Sequence, residues 1–264
     1  MPANPREFDD SSRVSDPRSP ISDFEPRIPN PESRIPNSPA PSPQPPVPSL
    51  YAIVDADVAA RAGWTVADLA SALLDGGARL IQLRAKEASG RDFLRWAEQL
   101  VDKARPAGAR IIINDRVDVA AMAAADGAHV GQDDLPPQRV RDWLGPSALV
   151  GLSAYTDIQL SDGVTEPVSY LAVGPVFTTG TKATGYPAGG LDMVRRAARI
   201  LAEHATQTSR ARTPLVAIGG ITLDNAPDVI RAGADSVAVV SDLLTTGDPA
   251  GRTRAFIEIL DRAR

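Results

Sequence analysis

The chain of 264 residues has no cysteine and only two histidines. Without thiols there can be no disulfide and no thiolate nucleophile, and a structural zinc site loses its usual ligands. His129 falls inside an apolar run and reads as a packed or supporting group; His204 sits in a polar stretch and reads as solvated. Acid–base or covalent chemistry through Cys or His is therefore disfavoured. No stretch approaches the roughly 18 consecutive apolar residues of a membrane span. An excess of positive charge is missing as well: the formal net charge of −5 argues against a nucleic-acid surface. The N-terminal region has neither the apolar core of a secretory signal nor the Arg-rich, acid-poor character of a transit peptide. The expected location is the cytoplasm.

Apolar periodicity is also scarce in residues 1–48, which hold 14 of the 24 prolines and the near-copies Arg27-Ile28-Pro29-Asn30 and Arg34-Ile35-Pro36-Asn37. Proline removes backbone donors and blocks helix and central strand alike. A segment with so little to bury is expected to be a disordered arm, or a start placed too far upstream. Residues 49–264 are expected to form one domain.

In that domain short apolar runs alternate with amphipathic segments, the pattern of a parallel α/β sheet. Eight runs stand out: Leu50–Val54, Leu80–Leu83, Arg110–Ile113, Ala128–Val130, Leu149–Leu152, Tyr170–Val173, Leu215–Ile218 and Ser236–Val240. Helical periodicity marks Val66–Leu74, Phe93–Ala104, Val117–Ala124, Leu191–Ala202, Asn225–Arg231 and Pro249–Ala263. Most of the runs are near-continuous Val, Ile, Leu and Ala, as in strands buried on both faces. The fold expected is a (β/α)₈ TIM barrel. A doubly wound open sheet is the alternative, but it would gather ligand groups at one switch point. Here polar clusters follow nearly every run.

Gly219-Gly220-Ile221 after the seventh run, and Ser241 after the eighth, look like a phosphate cradle. Glycine lets the main chain approach an anion, and N–H groups at the following helix start point at it. In barrels of this class such cradles lie after strands 7 and 8. Gln82, Arg84 and Lys86 alternate along a strand and so face one way. Two cations placed together call for an anion, with Arg suited to bidentate phosphate contact and Lys to a point charge. Ser153 ends the fifth run, and the sixth runs into the Thr-rich loop 178–182, whose composition suits a phosphate contact or a lid. Asp115 and Asp134 follow neighbouring strands. They are equally readable as ligands of Mg²⁺, which favours oxygen donors, or as caps of the helices that come next. A cation-rich site with phosphate cradles suits departure of a diphosphate better than activation of a nucleophile.

The series Gln82-Leu83-Arg84-x-Lys86, Asn114-Asp115, Gly131-Gln132-Asp133-Asp134-Leu135, Gly151-Leu152-Ser153, Gly174-Pro175-Val176-Phe177 through Thr181-Lys182, Gly219-Gly220-Ile221 and Val239-Val240-Ser241 resembles the thiamine-phosphate synthase family over residues 49–264. The resemblance implies a barrel that joins 4-amino-2-methyl-5-(diphosphooxymethyl)pyrimidine to 4-methyl-5-(2-phosphooxyethyl)thiazole. Diphosphate leaves the pyrimidine, and the thiazole nitrogen captures the resulting carbocation. It further implies that Gln82, Arg84, Lys86, Asn114 and Lys182 hold the pyrimidine diphosphate, with Ser153 near the reacting centre. Lys182, Ser153 and Arg84 then carry the chemistry, and Asp115 and Asp134 bind Mg²⁺. Thr179 and Thr181 touch the thiazole, and Gly220, Val240 and Ser241 cradle its phosphate. The partners implied are these small molecules, with a homo-oligomer compatible.

The sequence departs from the family pattern at four places. Ala85 stands where Glu is usual, Thr178 where Pro is common, Tyr155 where His or a similar polar residue is common, and Asp242-Leu243 where Ala-Ile follows the serine. Ala85 is expected to face away from the site, and Asp242 to point outward or cap the last helix. Rival readings are a thiazole tautomerase, which uses a His soon after strand 5, and a non-catalytic barrel that binds thiamine precursors. Position 155 is Tyr rather than His, and the joint presence of Lys86, Asp115, Asp134 and Lys182 is more than a binding protein requires.

Overall fold

The computed structural model describes residue 1, residues 47–180 and residues 185–264. The expectation of a disordered arm over 1–48 lies outside these residues except for Met1, Val47 and Pro48, and Val47 is buried against the barrel.

Eight parallel strands follow one another in order and close, β1 pairing with β8. They are β1 (Leu50–Asp55), β2 (Leu80–Arg84), β3 (Arg110–Asn114), β4 (Gly127–Val130), β5 (Leu149–Ala154), β6 (Tyr170–Val173), β7 (Leu215–Ile218) and β8 (Ser236–Val239). The helices are α1 (Ala56–Arg61), α2 (Val66–Asp75), α3 (Gly90–Ala104), α4 (Val117–Met122), α5 (Pro137–Leu144), α6 (Asp157–Gly163), α7 (Gly190–Thr208), α8 (Ala226–Arg231) and α9 (Pro249–Ala263). Closure through the β1–β8 register, Leu50 opposite Val237 and Ala52 opposite Val239, rules out the open-sheet alternative.

Two apolar layers hold the barrel. The larger lies between strands and helices and takes alternate strand residues such as Ala52, Val54, Ile81, Leu83, Ile111 and Ile113. The smaller fills the interior with Tyr51, Ile53, Leu80, Ile112, Leu149, Tyr170 and Val216. The alternation of side chains along a strand sends one residue inward and the next outward. Gln82 and Arg84 therefore share the inward face of β2, while Ala85 joins the outer layer, as expected. Several helices start where a polar side chain takes a free N–H: Thr65 from Asp68, Ser89 from Asp92, Thr156 from Gln159 and Asp248 from Gly251.

The helical reading of the sequence was incomplete. α1, α5 and α6 are short, and α5 buries only Pro137 and Val140, so their periodicity is weak. α7 runs six residues beyond the expected end at Ala202, which puts His204 within a helix and half-buried rather than in a solvated stretch.

Candidate active site

The carboxyl ends of the strands open into one cavity of about 1090 Å³. Gln82, Arg84, Lys86, Asn114, Asp115, Asp134, Ser153, Thr179, Gly220, Val240 and Ser241 all line it. Thr181 and Lys182, the remaining predicted contacts, lie outside the described residues.

On the β2–β4 side the groups are charged side chains. Arg84 Nη1 pairs with the Asp55 carboxylate, whose other oxygen accepts the Val58 N–H at 3.0 Å. Asp55 is 3% exposed and Arg84 18%, so this pair fixes the direction of the guanidinium and leaves other N–H donors for a ligand. Lys86 Nζ lies 3.0 Å from Asp115 Oδ2, in a pair 47% and 24% exposed. The sequence expectation of two cations awaiting an anion is thus modified: each already has a carboxylate, and the exposed Lys86 pair is weak enough to open.

Asp115 does not cap α4. The cap residue is Arg116, without a side-chain hydrogen bond. Asp115 instead occupies the left-handed region at φ 61°, in a tight turn closed by Arg116 N–H to Asn114 C=O at 2.7 Å. Its own N–H continues the ladder to His129 C=O at 2.8 Å. Asp134 does not cap α5 either: Pro136 precedes that helix, and Asp134 Oδ2 accepts the Gly131 N–H at 2.7 Å. Among the described residues no cluster of three or more His, Cys, Asp or Glu side chains could enclose a metal. Two carboxylates at a phosphate-sized cavity are nonetheless the donor set Mg²⁺ uses when substrate oxygens and waters complete its shell.

On the β7–β8 side the groups are main chain. Gly219 and Gly220 have φ of 103° and 65°, where a side chain is strained. Space excludes one as well. A Cβ on Gly219 would lie 2.6 Å from Pro175 Cα, and one on Gly220 2.7 Å from Thr178 O. The loop is tied down by Phe177 N–H to Gly219 C=O at 2.9 Å and Asn225 Nδ2 to Gly220 C=O at 3.1 Å. Among the described residues the N–H groups of Gly220, Ile221, Val240 and Ser241 have no main-chain acceptor. Asp242 neither points outward nor caps the last helix, where Asp248 serves. It is buried in the cavity lining, with Oδ2 accepting from Arg252 Nη2 at 2.7 Å and Leu223 N–H at 3.1 Å, so its charge is offset by Arg252 beside the cradle.

Several residues of the site escaped the sequence reading. Asp55 follows the first run just as Asp115 follows the third, and the same reasoning would have found it. Tyr51, at the cavity floor, and Tyr170, in the interior layer below it, are inward residues of β1 and β6, buried and joined by a 2.8 Å hydrogen bond. Burial pushes both phenol groups well above their ordinary range, so they stay protonated. His129 is the supporting group expected, with Nε2 2.9 Å from Ser153 Oγ and Nδ1 3.1 Å from Tyr170. At the mouth Tyr155 stacks on Tyr186, centroids 4.8 Å apart and rings within 3° of parallel.

Comparison with known proteins agrees with this geometry. The family model described as thiamine monophosphate synthase matches residues 50–243. The thiamine-phosphate synthase of Koribacter versatilis is 43% identical over 213 residues, covering 80% of this chain and 95% of that protein. That of Roseiflexus sp. is 39% identical over 214 residues, covering 81% and 86%. Among solved structures, thiamine phosphate pyrophosphorylase from Pyrococcus furiosus superposes with a TM-score of 0.69 at 28% identity, covering 81% of this chain and 96% of that one. A match over most of the barrel, with two curated relatives near 40% identity and the motif residues gathered at one cavity, places the chain in the thiamine monophosphate synthase family.

Proposed function

We propose that this enzyme makes thiamine phosphate by letting diphosphate leave the pyrimidine substrate at the β2–β4 rim while the β7–β8 rim holds the thiazole phosphate. Family membership supplies the reaction, a transfer that yields thiamine phosphate; the division of labour is our reading. The observation that carries it is the pairing of a charged rim with a bare-backbone rim around one cavity.

In this reading Arg84, oriented by Asp55, and Lys86 contact the diphosphate, with Gln82, Asn114 and Ser153 aligning the pyrimidine. Lys86 exchanges Asp115 for the incoming anion, a small loss for a pair this exposed. That exchange frees Asp115, which with Asp134 would hold Mg²⁺. Bound there, Mg²⁺ supplies charge neutralisation for the leaving diphosphate. Lys182 is assigned to the same anion and Thr179 and Thr181 to the thiazole. The N–H groups of Gly220, Val240 and Ser241 receive the thiazole phosphate. The thiazole nitrogen then forms the new C–N bond at the carbon that the diphosphate left, with no protein nucleophile required.

The test is a coupling assay on the full chain with both substrates and Mg²⁺. Thiamine phosphate and diphosphate should appear in equal amounts and vanish on chelation. Synthesis that survives complete chelation would remove the metal from this scheme, and tautomerisation of the thiazole phosphate without coupling would remove the synthase reading.

A further inference from the structure

Five polar side chains cross the barrel interior as one hydrogen-bonded chain. Gln82 Nε2 lies 2.8 Å from the Tyr51 hydroxyl, and Tyr51 lies 2.8 Å from the Tyr170 hydroxyl. Tyr170 lies 3.1 Å from His129 Nδ1, and His129 Nε2 lies 2.9 Å from Ser153 Oγ. The rings are packed as well as bonded: Tyr170 meets Tyr51 edge-on at 5.7 Å and stacks on His129 at 5.6 Å. Position 151 has to be glycine for this to form, since a Cβ there would lie 2.1 Å from Tyr170 Cζ and 2.5 Å from His129 Nδ1.

Each hydroxyl in such a chain has one proton to give, so the directions of the bonds are not independent. Gln82 donates to Tyr51. Tyr51, 1% exposed, must then give its proton to Tyr170, because otherwise a buried hydroxyl proton has no acceptor. Tyr170 passes its proton to His129 Nδ1. In this arrangement His129 is the Nε2–H tautomer and donates to Ser153, which keeps its own proton for the cavity. Turning the Gln82 amide over reverses every link: Tyr51 donates to Gln82, Tyr170 to Tyr51, His129 Nδ1–H to Tyr170, and Ser153 to His129 Nε2. With His129 neutral, both arrangements satisfy the interior, and mixtures of the two leave lone pairs facing each other or a proton without an acceptor.

We infer that Tyr51, Tyr170 and His129 are positioning residues that lock the hydrogen-bond polarity of Gln82 to that of Ser153. The two ends of the cavity floor then present one matched pattern to a ligand, with the Gln82 carbonyl oxygen left to accept and the Ser153 hydroxyl left to donate. The ligand class this suits is a heteroaromatic ring with a donor and an acceptor on different edges. Only the identification of Gln82 and Ser153 as ligand contacts rests on the proposed function.

The experiment needs no substrate. With two histidines in the chain, ¹⁵N–¹H NMR of the imidazoles of the full-length protein resolves the His129 tautomer. With Gln82 Nε2 turned to Tyr51, the wild type should show Nδ1 unprotonated and Nε2 protonated. Gln82→Glu places an acceptor-only group at the far end and should protonate Nδ1. Adding Tyr170→Phe to Gln82→Glu cuts the chain and should abolish that response. A wild-type Nδ1–H tautomer overturns the inference, and this measurement stands even if the Glu variant does not fold. An Nδ1 that stays unprotonated in Gln82→Glu, or a response that survives Tyr170→Phe, overturns it too. Because these readings use the resting protein, a failed coupling assay would leave them untouched.

Discussion

Along the β2–β4 rim of the cavity the chemical groups are side chains, held by carboxylate–cation pairs. Along the β7–β8 rim they are main-chain N–H groups exposed by Gly219 and Gly220. The first rim is built by residue type and charge; the second is built by conformation, since a Cβ at either glycine would meet neighbouring atoms. A carboxylate beside the first rim takes part in it. A carboxylate beside the second, Asp242, is paired with Arg252.

Replacing single residues should separate the two rims. The largest effect is expected for Asp115→Ala, which should lower Mg²⁺-dependent turnover by about a hundredfold or more, the scale of losing a transition-state charge contact. Steady-state assays across a Mg²⁺ titration, with circular dichroism as a check on folding, would measure it. Unchanged turnover at limiting Mg²⁺ would strike Asp115 from the ligand set. Gly220→Ala meets Thr178 O and Phe177 Cβ, and should raise KM for the thiazole phosphate by about tenfold. The pyrimidine KM should move little; an equal rise in both would show that the rims are not separate.

Asp242→Ala is expected to act on stability. It leaves Arg252 and the Leu223 N–H without their carboxylate, at a cost of about 1–3 kcal/mol. Thermal denaturation should show a lowered Tm while turnover persists. A gain in thiazole phosphate affinity would mean that the charge does reach the cradle. The prediction with no effect at neutral pH concerns the floor beneath both rims. Tyr51 and Tyr170 titrate above their ordinary value of 10.0 because burial disfavours the phenolate. A group whose folded pKa is raised contributes its stability in full below the unfolded value and loses it as pH climbs toward the folded one. Stability should therefore hold up to about pH 10 as far as these groups are concerned, then fall by about 1.4 kcal/mol per pH unit for each tyrosine. Tyr51→Phe should make that fall shallower in pH-dependent denaturant melts.

The rims differed in how far the sequence disclosed them. Eight apolar runs and the polar residue after most of them were enough to anticipate the closed barrel, and eleven of the residues that the resemblance implied for the site line one cavity. Gly219 and Gly220 were legible because only a conformational demand places two glycines after a buried strand. Asp115 was ambiguous, since an Asp before a helix has the same sequence signature whether it caps or not; its positive φ settled the matter against capping. The chain from Gln82 to Ser153 was not legible at all. Tyr51 and Tyr170 are 119 positions apart, and only the curvature of a closed barrel brings β1, β4 and β6 around a shared interior.

The left-handed turn at Asp115 has a consequence for engineering. An L-residue held there gives up about 1–2 kcal/mol that glycine would not. Asp115→Gly should therefore melt higher than the parent while losing turnover. A library screened for thermal tolerance alone would enrich the inactive protein, so selection for robustness and selection for catalysis pull in opposite directions at this position.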